Sequence, residues 1–210
     1  MGPTTSDEQL MLAFKAGDAR AFGTLVGRHR QAVYNFILRY VGQRARAEDL
    51  LQETWLKVVR GSTDYEPRAR FTTWVYTIAR NLCVDSGRKE SYRQAESLDA
   101  PRGADGEGAP LGEHLPDALA MSPERAAHNA GLQGVLTRAL QGLPAEQREV
   151  FLLREYQGLS FKEVAEVTQV NENTVKSRMR YALEGLRRCL QEAGVDAQGL
   201  ADERSVATAP

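Results

Sequence analysis

Apolar residues recur every three or four positions along most of the chain, and this spacing is typical of amphipathic α-helices. No segment of comparable length alternates apolar and polar residues as a half-buried β-strand would. Helix start and stop signals divide the first part of this pattern. Ser6 and Gln9 form a capping-box pair, Asp18 can cap a second helix, and Gly42 can end it. The sequence therefore predicts an all-α fold.

The second, third and fourth predicted helices each have one apolar face. The third helix covers about Arg46 to Arg60, and the fourth begins near Phe71. Between them, Gly61 to Arg70 contains Gly, Asp and Pro, which favour a loop. The three apolar faces consist of Phe22, Leu25, Val26, His29, Val33, Ile37, Tyr40 and Val41 in the second helix, Leu51, Trp55 and Val58 in the third, and Phe71, Trp74, Ile78 and Leu82 in the fourth.

The composition changes after the fourth helix. Residues 92–129 are rich in Gly, Pro and Ala, and carry seven acidic residues against three arginines. Without a sustained apolar period, such a segment favours a flexible linker. The chain is therefore predicted to hold two small helical domains, at 6–91 and 130–192, joined by the linker 92–129 and followed by a disordered tail at 193–210.

Helical signals resume beyond the linker. A stripe of leucines and valines precedes Gly142, Pro144 suits the first position of the next helix, and Ser160 with Glu163 forms a second capping box. A short helix, a four-residue turn and a long helix from about Glu172 follow, which is the helix-turn-helix plan. The apolar stripes are Leu132, Val135, Leu136 and Leu140, and then Val175, Met179, Leu183, Leu186 and Leu190.

Charge is unevenly distributed along the chain. The whole chain has a net charge of -1, but 174–190 holds five basic residues and one acidic residue. The second helix of a helix-turn-helix can enter the major groove with its N-terminal turns, where Lys and Arg hold phosphates and polar groups read base edges. A solvated helix face is the alternative interpretation. The outward candidates are Asn173, Thr174, Lys176, Ser177, Arg178, Arg180 and Tyr181.

Two further sets of polar residues lie in the first half. Glu48, Asp49, Gln52 and Glu53 form an acidic-polar face beside Trp55 on the third helix, which suits a basic partner or is an ordinary solvated face. Basic residues interleaved with aromatics span 60–93, a composition used to hold single strands and stack unpaired bases. Phe71 and Trp74 are predicted to be core residues. The candidates for DNA contact are Tyr65, Arg68 and Arg70 in the loop and Thr73, Tyr76, Arg80 and Asn81 off the apolar stripe.

Several function classes lack support in the sequence. Cys83 and Cys189 lie in apolar helical patterns, and no Cys/His cluster suggests a metal site, so no metal or cofactor is expected. The sequence contains neither a nucleophile elbow nor a phosphate-binding loop, which are motifs that would indicate an enzyme. No signal peptide or long apolar run is present, which predicts a soluble cytoplasmic protein without membrane insertion.

The stretch from Gly142 to Arg188 resembles domain four of bacterial sigma factors. The pieces LPAEQREVFLL, GLSFKEVAE and TVKSRM carry the resemblance. The family often has Gly where Gln169 and Asn173 stand here, so the turn is expected to differ in shape. The resemblance implies that the long helix reads the minus-35 promoter element. A response-regulator output domain is similar through this stretch.

The first half resembles sigma domain two, through RAEDLLQETWLKVVR at 46–60 and FTTWVYTIARNLCVDSGRK at 71–89. This implies that the acidic-polar face binds the clamp helices of core RNA polymerase. It also implies that the loop before Phe71, with Asn81 at its wall, holds a base flipped from the minus-10 element. Only the linker separates the two domains, as in the compact extracytoplasmic-function class.

Membership of that class implies promoter DNA, core polymerase and a dedicated anti-sigma factor as partners, and no enzymatic activity. Two alternatives stay open at this point. A stand-alone helix-turn-helix regulator would bind duplex DNA tightly by itself. An interaction protein that sequesters polymerase would not read DNA, and the basic helix argues against it.

Overall fold

The computed structural model describes residues 5–96 and 134–194, with side chains up to residue 90 and from residue 134. Within these ranges all regular structure is helical, which confirms the all-α prediction. The N-terminal half contains α1 (Asp7–Lys15), α2 (Ala19–Val41), α3 (Arg44–Gly61) and α4 (Phe71–Glu96). The C-terminal half contains α5 (134–142), α6 (Ala145–Phe151), a π-helical turn (Leu152–Tyr156), α7 (Phe161–Thr168) and α8 (Glu172–Glu192).

Local capping chemistry places the helix ends of the N-terminal half. Ser6 and Gln9 exchange both bonds of a capping box at the start of α1. The Asp18 carboxylate accepts a hydrogen bond from the Arg20 amide at the start of α2. Gly42 ends α2 in the left-handed conformation, with φ 76°. All three signals satisfy backbone groups that a helix end leaves without partners, and the predicted boundaries are confirmed there.

The core of the N-terminal half forms around α2, which packs against α1, α3 and α4. Val33, Phe36 and Ile37 of α2 are fully buried there, as are Val58 of α3 and Phe71 of α4. α1 also contributes to the start of α4, because a Glu8 carboxylate oxygen accepts a hydrogen bond from the Phe71 amide at 2.9 Å. A side chain from a distant helix therefore satisfies one of the amides at the N-terminus of α4.

The C-terminal half is built on α8, which packs against α6 and α7. The capping box of Ser160 and Glu163 is present. Pro144 is the N-cap of α6, one position before the helical position that we predicted. The π-helical turn after α6 was not predicted. None of the helices in the two described ranges is long and apolar enough to cross a membrane.

The predicted apolar stripe of α8 is wrong at one position. Leu183 is 44% exposed, and Ala182 is buried in its place. At 100° per residue, the seventh position after Val175 returns to within about 20° of it, whereas the eighth lies about 80° away. Leu183 therefore points away from the core, and the buried stripe is formed by Val175, Met179, Ala182 and Leu186.

The predicted linker and tail fall largely outside the described residues. α4 continues through Glu96, so the first five residues of the range that we predicted as linker are helical. The remainder of that range, from residue 97, lies outside the described residues, as do Leu132 and the tail from residue 195.

Candidate functional site: an acidic helix face and two basic surfaces

The acidic-polar face of α3 points to solvent. Glu48, Asp49, Gln52 and Glu53 are all exposed, and Glu48 pairs with Arg44 one turn earlier at 3.1 Å. Trp55 is half-buried and meets the Phe22 ring edge-on, with ring centroids 6.0 Å apart. The four polar side chains are therefore available to a partner, while Trp55 supports the helix from beneath.

Leu56 extends this face and was missed in the sequence. It lies seven residues after Asp49, so it falls on the same side of α3, and its side chain is 54% exposed. An exposed leucine beside acidic residues gives the face an apolar element, as the buried part of a protein–protein contact usually has. Its position outside the apolar stripe of α3 was the sequence feature that could have predicted its exposure.

The loop before α4 is anchored by a buried tyrosine. Tyr65 is only 4% exposed, and its ring packs against Trp74 at 5.0 Å. Burial raises the pKa of Tyr65 to about 12. Lys15 donates a hydrogen bond to the Tyr65 carbonyl at 2.9 Å, which ties the loop to α1. The ring that we predicted to contact DNA therefore lies inward in this conformation.

The two loop arginines remain exposed. Arg68 pairs with Glu66 at 2.6 Å, and Arg70 reaches Glu163 on α7 at 3.5 Å. Both guanidinium groups are largely in solvent, so each pair contributes little to stability. A role for both arginines at the DNA stays a prediction.

On α4, the expectation that four residues lie off the apolar stripe is wrong for two of them. Thr73 and Tyr76 are both buried, because α4 is covered on more than one side: α2 and α3 pack against it, and so does α7 of the C-terminal half. The Tyr76 hydroxyl donates a hydrogen bond to the side-chain oxygen of Gln157. Arg80 and Asn81 are half-buried neighbours. Contact of these four residues with DNA stays a prediction.

The start of α8 presents the third predicted set. Asn171 caps the helix by accepting hydrogen bonds from the Thr174 amide and hydroxyl at 2.8 and 3.0 Å. Among the seven predicted residues, Thr174 and Arg178 are half-buried, and the other five are exposed, namely Asn173, Lys176, Ser177, Arg180 and Tyr181. The Arg180 guanidinium lies over the Tyr181 ring at 4.9 Å.

The turn before α8 holds a non-glycine residue in a glycine-type conformation. Gln169 ends α7 with φ 58° and ψ 36°, the left-handed region. Its amide donates to the Ala165 carbonyl, as a glycine would at a helix C-terminus. The substitution of Gln for Gly is therefore accommodated at the cost of backbone strain.

One buried carboxylate brings two of the predicted sets together. Glu149 of α6 is 1% exposed. Its two carboxylate oxygens accept hydrogen bonds from Arg80 at 2.9 and 3.3 Å, and Arg178 lies 3.6 Å away. Burial lowers the pKa of Arg80, but the hydrogen bonds and negative charge of Glu149 outweigh burial and hold this pKa above its ordinary value. Sequence reasoning missed Glu149, whose partners are remote along the chain.

Comparisons with known proteins identify the family of each half. Two family models match the chain, Sigma-70 region 2 over residues 25–93 and Sigma-70, region 4 over residues 133–186. The first covers α3, the loop and most of α4, and the second covers the helix-turn-helix and most of α8.

Full-length relatives match over both halves. The RNA polymerase sigma-H factor of Pseudomonas aeruginosa is 31% identical over 189 residues, which are 88% of this chain and 94% of that protein. The ECF RNA polymerase sigma factor SigL of Mycobacterium tuberculosis is 34% identical over 186 residues, covering 86% and 94%.

A solved structure supports the fold. The sigma factor RpoE from Bartonella quintana, crystallised with the anti-sigma factor NepR, aligns with a TM-score of 0.65 at 24% identity, over 82% of this chain and 98% of that one. With both family regions present in one short chain, the protein belongs to the extracytoplasmic-function sigma factors of the sigma-70 family and is an alternative sigma factor for transcription initiation.

Proposed function

We propose that this sigma factor divides its work among the three surfaces described above. The exposed face of α3 binds core RNA polymerase through Glu48, Asp49, Gln52 and Glu53, and the half-buried Trp55 supports this face by packing beneath it. The first three turns of α8 read the minus-35 element. The loop and α4 capture the minus-10 element once the duplex opens. The observation that carries this proposal is the group of exposed polar and basic side chains at the capped N-terminus of α8.

Duplex reading by α8 follows from its geometry and chemistry. A helix enters the major groove with its first turns, and the exposed residues there offer an amide, a hydroxyl, a guanidinium and a phenol. The Asn171 side chain caps the helix, while Asn173, Ser177 and Arg180 are exposed on one side of α8. Lys176, paired with Glu172 at 2.7 Å, suits a phosphate at the groove edge.

Strand capture requires a group that hydrogen-bonds an unpaired base and cations that hold the backbone. Unstacking a base costs a few kcal/mol, which such contacts offset. Asn81 offers an amide, while Arg68 and Arg70 offer exposed guanidinium groups. Tyr65, Thr73 and Tyr76 are buried here. A contribution of Tyr65 therefore depends on movement of the loop, and one of Thr73 and Tyr76 depends on movement of the helices that pack on α4.

An anti-sigma factor is the further partner that we propose. The solved Bartonella relative was crystallised with one. The exposed α3 face and the outer side of α8, with Tyr181 and Leu183, are surfaces that such a partner can cover. The site of action is then the cytoplasm, where core polymerase and promoter DNA are found.

Promoter opening by the Asn81→Ala variant tests strand capture. We expect normal association with core polymerase but reduced permanganate reactivity of thymines in the minus-10 region. A template with a pre-melted bubble should rescue the variant only in part, because capture itself is damaged. Asn35→Ala is the matched control, since it deletes the same group from α2 of the same domain. Opening at the wild-type rate by Asn81→Ala would place the pocket elsewhere.

A further inference from the structure

The face of α4 that carries the predicted minus-10 residues is covered by the chain's own C-terminal half. α7 packs along α4, and α6 with the π-helical turn packs against α2. Three predicted minus-10 residues contact the C-terminal half through polar groups: Arg70 with Glu163, Tyr76 with Gln157, and Arg80 with Glu149. A single-stranded DNA cannot occupy the same surface at the same time.

Glu149 is the central contact of this interface. It is only 1% exposed and would be costly to leave without partners, because an unpaired buried charge is strongly destabilising. Arg178 of its own domain supplies one contact at 3.6 Å, and Arg80 of the other domain supplies two shorter ones at 2.9 and 3.3 Å. The carboxylate is thus satisfied mainly by a residue predicted to hold promoter DNA.

The π-helical turn adds contacts at the edge of the interface. Its last residue, Tyr156, lies under the Arg39 guanidinium of α2 at 4.2 Å, and the next residue, Gln157, accepts the Tyr76 hydrogen bond. Arg148 donates to the Tyr40 carbonyl of α2 at 2.9 Å. An inserted turn of this kind shifts the direction of the side chains that follow it. The interface therefore rests on several specific contacts over three helices of the C-terminal half.

We infer that the free chain is held closed by Glu149 and Gln157, which occupy Arg80 and Tyr76 and so keep the minus-10 surface from single-stranded DNA until the two domains separate. This rests on the proposed function for the role of α4. The first turns of α8 remain exposed in the closed chain, so the closed state does not withhold duplex reading. The closed state therefore inhibits only the capture of single-stranded DNA by α4.

The size of the effect follows from population shift. If only a fraction of molecules is open, the apparent affinity of the covered surface falls by that fraction. A hydrogen bond to a charged group is worth enough to change the ratio of open to closed molecules on the order of tenfold or more. Loss of the Glu149 charge together with the Gln157 side chain should change it at least this much.

The test uses the full-length chain with the double substitution Glu149→Gln and Gln157→Ala. Neither residue belongs to the proposed DNA or polymerase surfaces, and the amide introduced by Glu149→Gln keeps the shape of the buried carboxylate. Phenylglyoxal modification, read by mass spectrometry after chymotryptic digestion, reports the accessibility of each arginine. Arg68 is the internal reference, because its side chain is 85% exposed. Binding of a short fluorescein-labelled single-stranded DNA of mixed sequence is measured on the same proteins.

The matched control is Glu146→Gln, which makes the same charge change on the same helix. Glu146 is exposed and makes no ion pair or hydrogen bond among the residues that the structure describes. Circular dichroism checks that all variants keep their helicity. Gln157→Ala alone serves as a second variant in case the change at Glu149 unfolds the C-terminal domain.

We expect Arg80 to be protected in the wild type and in Glu146→Gln, and to react about tenfold faster in the double variant, with a similar gain in affinity for the single strand. Unchanged protection of Arg80 in the double variant and in Gln157→Ala would overturn the closed state and leave the proposed function standing. Faster reaction without any gain in DNA binding would overturn the inhibition and would also count against α4 as the strand-capture surface.

Discussion

Arg178 and Arg180 should have different roles, although only one residue separates them. Positions two apart on a helix point about 160° away from each other. Arg180 lies in solvent over the Tyr181 ring, on the side of α8 shared by Asn173 and Ser177. Arg178 lies at the border of the buried stripe, 25% exposed, and faces Glu149. Of these two arginines, only Arg180 points to the side of α8 that we propose enters the major groove.

The expected magnitudes follow from these environments. Arg180→Ala removes an exposed side chain, so the free energy of unfolding should change by less than about 0.5 kcal/mol. The lost base contact should cost about 1–3 kcal/mol at the minus-35 element. Arg178→Ala should instead lower the free energy of unfolding by about 1 kcal/mol, because Glu149 loses one charged partner but retains Arg80.

Two assays separate the roles. Urea unfolding of the free protein gives the stability change, and binding of each variant with core polymerase to a promoter with an intact or a scrambled minus-35 element gives the specificity. We expect the loss for Arg180→Ala to be larger on the intact promoter and the loss for Arg178→Ala to be similar on both. Equal losses on both templates for Arg180→Ala would make it a general phosphate contact and refute the geometric argument.

Further outcomes follow from single contacts. Gln169→Gly should raise the free energy of unfolding by about 0.5–1 kcal/mol in urea, because glycine adopts the left-handed backbone without strain, whereas Gln31→Gly within α2 should lower it by about 1 kcal/mol; a loss at position 169 would exclude backbone strain there. Glu8→Ala should lower stability by about 1 kcal/mol near neutral pH, as removal of a helix cap does. The Phe71 hydrogen bond holds the pKa of Glu8 below its ordinary value of 4.5, so this difference should be complete above that pH and vanish as the pH falls through the lowered pKa; a constant difference would contradict it. Leu56→Ala should weaken core polymerase binding by about 1 kcal/mol without loss of stability, and unchanged binding would remove Leu56 from the interface.

The helix boundaries could be predicted from sequence because their causes are local. The capping boxes at Ser6 and Ser160 and the left-handed Gly42 involve residues within four positions of each other. The error at Leu183 came from two successive steps of four residues, from Val175 to Met179 and on to Leu183, which together drift from the helical period of 3.6. Ala182 completes the stripe although its side chain is small.

The burial of the strand-capture candidates could not be read from the sequence. Tyr65 packs on Trp74 of the next helix, and Tyr76 donates its hydrogen bond to a residue 81 positions later. Glu149 likewise meets Arg80 across 69 positions. The Tyr65 contact depends on how the loop folds back on α4, and the other two depend on how the two halves dock. Amphipathic periodicity within one helix carries no information about either.

Transcription reconstituted from purified components is the most direct test that this chain acts as a sigma factor. Core RNA polymerase, this chain and genomic fragments that include the upstream region of its own gene should give transcripts from defined start sites, and core polymerase alone should not. The double substitution Asp49→Lys and Glu53→Lys should abolish these transcripts and co-purification with polymerase while helicity is kept, and reversal of the exposed acids Glu146 and Glu192 should preserve both. Defined transcripts from the α3 variant at the wild-type level would exclude the α3 face as the polymerase-binding surface. The absence of transcripts from the wild-type chain on every fragment would contradict its action as a sigma factor.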